Sequence, residues 1–249
     1  MAGHLIYGFH AVIARLRSHP ASVEEIYTDP QRQDARMRDL LEQAGKLNIR
    51  VIQLESKRLD GMANGPRHQG VAARVRTLVA PRHIDEILET TSGPLLLLIL
   101  DGIQDPHNLG ACLRIADAMG ANAVVAPRDR AVGITPTVAK VASGAAETVP
   151  FLSVVNLSRT MRELKDYDIT LIGTDGEADN TIASVDASGS VAWVMGAEGN
   201  GMRRLTREHC DIMAKIPMYG TVASMNVAVS AGICLYETRR QRSLHENTN

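Results

Sequence analysis

Leu95-Leu96-Leu97-Leu98-Ile99-Leu100, followed by Asp101-Gly102, is the stretch on which the fold turns. Six aliphatic residues without polar alternation describe a strand buried on both faces, the habit of strands inside parallel sheets. Downstream, helical patterns at Leu109–Met119, Thr137–Ser143 and Val227–Arg239 alternate with strand patterns at Ala123–Ala126, Ile169–Gly173, Val191–Met195 and Ile212–Ile216. That alternation predicts an α/β domain built on a parallel sheet. Upstream the units are smaller. Strands are expected at Val23–Tyr27, Arg50–Leu54 and Val71–Val75, with an amphipathic helix at Asp34–Leu47 between the first two. A proline interrupts the pattern near Leu78–His83, so the expected division is a small α/β domain over 1–77, a linker over 78–92 and a larger domain over 93–249.

Composition narrows the function. The chain of 249 residues is 45% hydrophobic and 22% charged, which describes a folded globular protein and not a disordered one. Residues 1–80 carry 12 Lys and Arg against 8 Asp and Glu, whereas the remainder carries 15 against 20. A basic small half beside an acidic large half fits a chain whose first part meets a polyanion. Aromatic residues make up only 3%, which argues against base-stacking platforms. Cys112, Cys210 and Cys234 are odd in number and widely spaced, so neither a disulfide framework nor a zinc ribbon is expected. Met1-Ala2-Gly3-His4-Leu5 does not read as a signal peptide, and Leu95–Leu100 is too short to cross a bilayer. The expectation is a cytoplasmic protein with no membrane partner.

Ligands of open α/β sheets collect beyond the carboxyl ends of strands, which directs attention to three loops. In Asp101-Gly102-Ile103-Gln104-Asp105-Pro106-His107-Asn108-Leu109-Gly110, Asn108 reads as the cap of a helix starting at Leu109. Arg114 follows in that apolar helix, and either pairs with Asp117 at i,i+3 or points into a cleft. In Met195-Gly196-Ala197-Glu198-Gly199-Asn200-Gly201-Met202 the glycines permit close backbone approach, and Glu198 among them marks a site. The spacing is not the dinucleotide fingerprint. In Ile216-Pro217-Met218-Tyr219-Gly220-Thr221-Val222-Ala223-Ser224-Met225-Asn226, Ser224 reads as the cap of the last helix. That helix is nearly apolar all round, so one face should pack on the sheet and another on a partner subunit. No nucleophile elbow, zincin motif or Walker A loop is present, and the histidines show no metal spacing.

These three loops, in order and at these separations, closely resemble the signature motifs of the SpoU (TrmH) branch of the SPOUT RNA 2′-O-methyltransferases over residues 95–240. Residues 1–75, with Gly8-Phe9-His10-Ala11-Val12 and Arg67-His68-Gln69-Gly70, resemble the L30e-like RNA-binding domain of the branch that methylates a guanosine ribose in the P loop of 23S rRNA. The resemblance implies a SPOUT domain with a parallel sheet and a C-terminal deep trefoil knot, S-adenosylmethionine as cosubstrate, no metal, and a homodimer formed through the knotted domain. It implies catalytic positions at Arg114, Asn108, Glu198, Ser224 and Asn226. It also implies cosubstrate contacts at Gly196, Ile216, Met225, Thr174, Gly201 and Leu171. The substrate implied is 23S rRNA or a large-subunit assembly intermediate. A related enzyme acting on tRNA or conferring resistance through rRNA, and a non-catalytic RNA-binding assembly factor, stay open as alternatives at this level.

Overall fold

The computed structural model describes residues 4–63, 65, 68–76, 83–197, 199 and 201–246. The chain divides into two compact units, Met1–Val79 and Ala80–Asn249.

In the first unit the elements run β1 (His4–Tyr7), α1 (Phe9–Ser18), β2 (Val23–Thr28), α2 (Ala35–Lys46), β3 (Arg50–Gln53), α3 (Ser56–Met62) and β4 (Val71–Val75). The sheet order is β1-β4-β2-β3, antiparallel except for the β2–β3 pair. Asp34 caps α2, its side chain accepting from Met37 N at 3.0 Å. The helix then buries Met37, Leu40 and Ala44 against Ile26, Val71 and Ala73. His68, buried, accepts from Gly70 N at Nδ1 and meets Asp60 Oδ1 at 2.9 Å through Nε2. Its role is to fasten the turn before β4, and the backbone donor at Nδ1 fixes the proton on Nε2.

The second unit contains α4 (Ile84–Thr90), β5 (Leu96–Asp101), α5 (Pro106–Ala118), β6 (Ala123–Pro127), α6 (Pro136–Ala142), α7 (Ala145–Thr148) and β7 (Phe151–Val154). It continues with α8 (Leu157–Asp166), β8 (Thr170–Thr174), β9 (Asn180–Thr181), β10 (Val191–Gly196), α9 (Arg204–His209), β11 (Ile212–Lys215) and α10 (Val227–Glu246). Its sheet, ordered β7-β6-β5-β10-β8-β11-β9, is parallel throughout.

β5 explains the layering. Leu96, Leu98 and Leu100 enter one core, with α5, α6 and α10, while Leu97 and Ile99 enter the other, with α4 and α8. All five are fully buried, which contributes roughly 1.5–3 kcal/mol apiece. The segment 78–92, expected as a linker, therefore includes a structured part: α4 places Ile84 and Ile87 in the second core.

α10 is tied to the first layer by polar contacts as well as packing. Trp193 Nε1 donates to Thr238 Oγ1 at 2.9 Å in the interior. Arg239 donates to the carbonyls of Met119 and Gly120 at 2.6 and 2.7 Å, satisfying the exposed C-terminus of α5. Arg242 is buried and donates to the carbonyls of Leu95, Gly189 and Ser188. No helix among the described residues is long and apolar enough to cross a membrane.

Candidate active site

The carboxyl ends of β8, β10 and β11 end at Thr174, Gly196 and Lys215, and the chain beyond them encloses a cavity of about 500 Å³. That size suits a small-molecule ligand. Thr174, Gly196, Gly201, Ile216, Ser224 and Met225 line it, so six of the residues expected from sequence meet in one place. Met195, Met202 and Met218 add polarizable apolar wall, while Asp175 and Ser230 supply polar groups. Arg207 also lines the cavity and pairs with the Asp175 carboxylate.

The wall after β10 depends on one missing side chain. Ala197 and Gly201 exchange two backbone hydrogen bonds, at 3.1 and 2.9 Å, closing a narrow turn. A Cβ on Gly196 would stand 2.3 Å from Gly201 C and Met202 N, so only glycine allows the turn to fold back on its own strand. Gly201 has φ +64, in the left-handed region. Glu198, expected among the catalytic residues, lies outside the described residues.

Two arrangements differ from the capping expected from sequence. Helix α5 begins at Pro106, not at Leu109, and its cap is Asp105, whose carboxylate accepts from His107 N at 2.9 Å. Proline at the first helical position, where no donor is needed, moves the start upstream. Asn108 is thereby released from capping and its Oδ1 accepts from Asn226 Nδ2 at 2.8 Å. The first turn of α10 is capped by Asn226, whose Oδ1 accepts from Ala228 N at 2.9 Å, and not by Ser224, which faces the cavity. The Asn108–Asn226 bond thus joins the first turn of α5 to the residue that caps α10, next to cavity-lining Met225 and Val227.

Arg114 is exposed on α5 and is not part of the cavity lining. It forms no pair with Asp117, whose carboxylate accepts from Thr148 Oγ1 instead. Leu171 is not brought to the cavity either. It is fully buried near the start of β8, in the core facing α8. Cys112 faces the core under the site, and burial pushes its thiol up to about 12, which removes it as a nucleophile. Among the described residues no group of three His, Cys, Asp or Glu side chains could hold a metal ion.

Sequence reasoning missed Asp101 and Arg203. The Asp101 side chain is fully buried at the end of β5 and accepts from Arg203 N at 2.9 Å and Arg203 Nε at 2.7 Å. This charge-assisted pair fixes the far end of the turn after β10 to the neighbouring strand. A carboxylate terminating an all-aliphatic strand was the available signal, since a buried charge demands a partner.

Residues 95–236 match the model of the SpoU rRNA methylase family, and residues 5–79 match that of the RNA 2′-O ribose methyltransferase substrate-binding domain. The chain belongs to the SpoU rRNA methylase family. Within it, the chain is 58% identical over 238 residues to the 23S rRNA (guanosine-2′-O-)-methyltransferase RlmB of Bordetella pertussis, covering 96% of this chain and 97% of that protein. It is 56% identical over 239 residues to the enzyme of the same name from Neisseria meningitidis, covering 96% of each. Among solved structures of SpoU methyltransferases, AviRb of Streptomyces viridochromogenes in complex with AdoMet superposes with a TM-score of 0.70 at 25% identity, covering 97% of this chain and 91% of that one.

Proposed function

We propose that this SpoU-family chain transfers a methyl group from S-adenosylmethionine to the ribose 2′-hydroxyl of a guanosine in 23S rRNA. The observation that carries the reading is the cavity at the carboxyl ends of β8, β10 and β11, in a chain 58% identical to a 23S rRNA guanosine 2′-O-methyltransferase.

The residues present fit the cosubstrate. The Gly196 cradle excludes a Cβ and leaves backbone within reach of a ligand, Met195, Met202, Ile216 and Met225 offer apolar contact to a heterocycle, and Thr174 and Ser224 offer hydrogen-bonding groups. When bound there, it supplies a sulfonium-activated methyl carbon. The remaining requirement is a ribose oxygen that loses its proton as it attacks, held in line. Arg114, exposed on α5 and outside the cavity lining of the single chain, is assigned the stabilisation of that developing alkoxide and of an adjacent phosphate once RNA is bound, because a guanidinium offers paired donors and keeps its charge. Its freedom from Asp117 leaves those donors available. Asn108 and Asn226, bonded to each other, hold the start of α5 and the cap of α10 beside which the ribose would rest, and Ser224 faces the cavity. Glu198 is assigned the orientation of Arg114.

The finer reading extends to the whole chain. Residues 1–77 are assigned as an L30e-like RNA-binding domain, supported by the substrate-binding family match and the basic excess of that half. The methyltransferase domain over 93–249 is assigned a deep trefoil knot. Two of the loops that enclose the cavity, after β10 and before α10, are those that would be threaded. A homodimer through α10 is supported by its exposed face, where Val229 is 50% and Tyr236 59% accessible while Ala231, Cys234 and Leu235 on the opposite face are buried. The target is placed in the peptidyl-transferase P loop of cytoplasmic 23S rRNA, free or in a large-subunit assembly intermediate.

The test is incubation with labelled S-adenosylmethionine and either 23S rRNA from a strain lacking the modification or total tRNA. The reading expects label in 23S rRNA, recovered as one 2′-O-methylguanosine. Label in tRNA alone, or none in either RNA, overturns it.

A further inference from the structure

The loop after β6 carries an arginine whose position the chemistry above does not use. Arg130 has φ +59, a left-handed backbone that arginine adopts only at a cost and that glycine adopts freely. The loop is anchored on both sides. Arg128 N donates to Val154 O at 2.7 Å, and Val132 N donates to Ile103 O at 2.9 Å in the loop that follows β5. The Arg130 carbonyl and Ala197 Cβ lie 3.8 and 4.0 Å from the point where a Cβ on Gly102 would stand. Ala197 lines the cavity, so the Arg130 carbonyl lies within about 8 Å of a wall residue.

The side chain is exposed, and no carboxylate pairs with it among the described residues. Its neighbours differ in this respect: Arg128 lies 3.8 Å from Asp129, and Arg203 is held by Asp101. A guanidinium with no carboxylate partner among the described residues is thus carried on a loop whose backbone is tethered and conformationally costly, in the acidic part of the chain, beside the motif that follows β5. The turn alone favours glycine. What arginine adds is a permanent cation with donors arranged for a phosphate.

We infer that Arg130 grips a backbone phosphate of the RNA next to the nucleotide presented to the cavity, so that the catalytic unit itself contributes to substrate binding. This rests on the methyltransferase reading of the cavity. Phosphate contacts fix register without reading sequence, and each one formed releases counterions and steepens the salt dependence of binding.

The experiment is direct binding of a transcript of the 23S rRNA peptidyl-transferase region to the full-length chain across a salt series, comparing wild type with R130G and R130K. R130G relieves the left-handed backbone while removing the cation. It is expected to keep the wild-type affinity for S-adenosylmethionine and a Tm no lower than wild type. Its RNA affinity should fall about tenfold, and the slope of log K against log salt should shrink by about one. R130K keeps a charge in the same strained position and should retain most of the slope. Wild-type RNA affinity and slope in R130G would overturn the inference, as would a loss accompanied by a lowered Tm and weakened S-adenosylmethionine binding. Because binding is read without turnover, wild-type protein that binds this RNA but transfers no methyl group would refute the enzymatic reading and leave the Arg130 comparison to be decided on its own result.

Discussion

Asn226 donates from Nδ2 to Asn108 Oδ1 at 2.8 Å, joining the cap of α10 to the first turn of α5 across 118 positions of the chain. The other end of the same amide caps α10, so one side chain serves both a helix terminus and a link between motifs. Changing Asn226 to Asp should separate these roles. The carboxylate still caps, so Tm should stay close to wild type, while the Nδ2 donor to Asn108 is lost and methyl transfer should fall at least tenfold. Asn226→Ala should lose transfer and also about 1 kcal/mol of stability. Thermal unfolding and transfer assays on both variants check this; equal loss of stability in the two would contradict it.

Arg203→Ala leaves the buried Asp101 carboxylate without its cation. Removal of one member of a buried pair costs on the order of 3–5 kcal/mol, and the partial exposure of Arg203, 45% at the side chain, places the expectation near about 3. Urea unfolding measures it. A loss under about 1 kcal/mol would mean that the pair does not hold the turn.

The three cysteines should be inert in the folded protein. Burial pushes Cys112 and Cys210 from an ordinary 9.0 up to about 12, and raises Cys234 as well. At pH 8 alkylation should be absent until denaturant is added, when all three thiols react. The raised folded values also set a sign for stability. Below pH 9 both states keep the proton and the contribution is complete. Above it the unfolded chain ionises first, so stability should fall as pH rises from about 9 towards 12. One thiol reacting fast at pH 8 would contradict the account.

Arg114→Ala removes an exposed side chain, so stability should change by less than about 0.5 kcal/mol. Affinity for S-adenosylmethionine should remain within about twofold, while methyl transfer should drop by roughly 10²–10³ or more. Arg114→Lys should not restore it, since an ammonium lacks the paired planar donors. An alanine variant that still transfers methyl groups would remove Arg114 from the chemistry.

Much of this was legible in the sequence where a local pattern has one physical solution. Leu95–Leu100 can only be buried on both sides, and it occupies both cores. Gly196 and Gly201 announced a close approach that the narrow turn realises. Capping was not legible, because Asp105 and Asn108, like Ser224 and Asn226, are residue types of similar capping strength a few positions apart. Only the position of Pro106 and the bond across 118 residues decide between them. Asp117 was taken from Arg114 by Thr148, and Asp101 was paired with Arg203 from 102 positions away. Neither partner is within the reach of helical spacing. Leu171 fell on the wrong face and at the wrong end of its strand because a strand pattern does not say how deep in the sheet each residue lies.

The most direct test of the cavity after β8 and β10 is calorimetric titration of S-adenosylmethionine into the wild-type chain and Gly196→Ala. Wild type should bind, and a Cβ 2.3 Å from Gly201 C should force the turn open and weaken binding at least a hundredfold, about 2.7 kcal/mol, with the fold retained. No heat with wild type, or equal affinity in both proteins, would contradict the account.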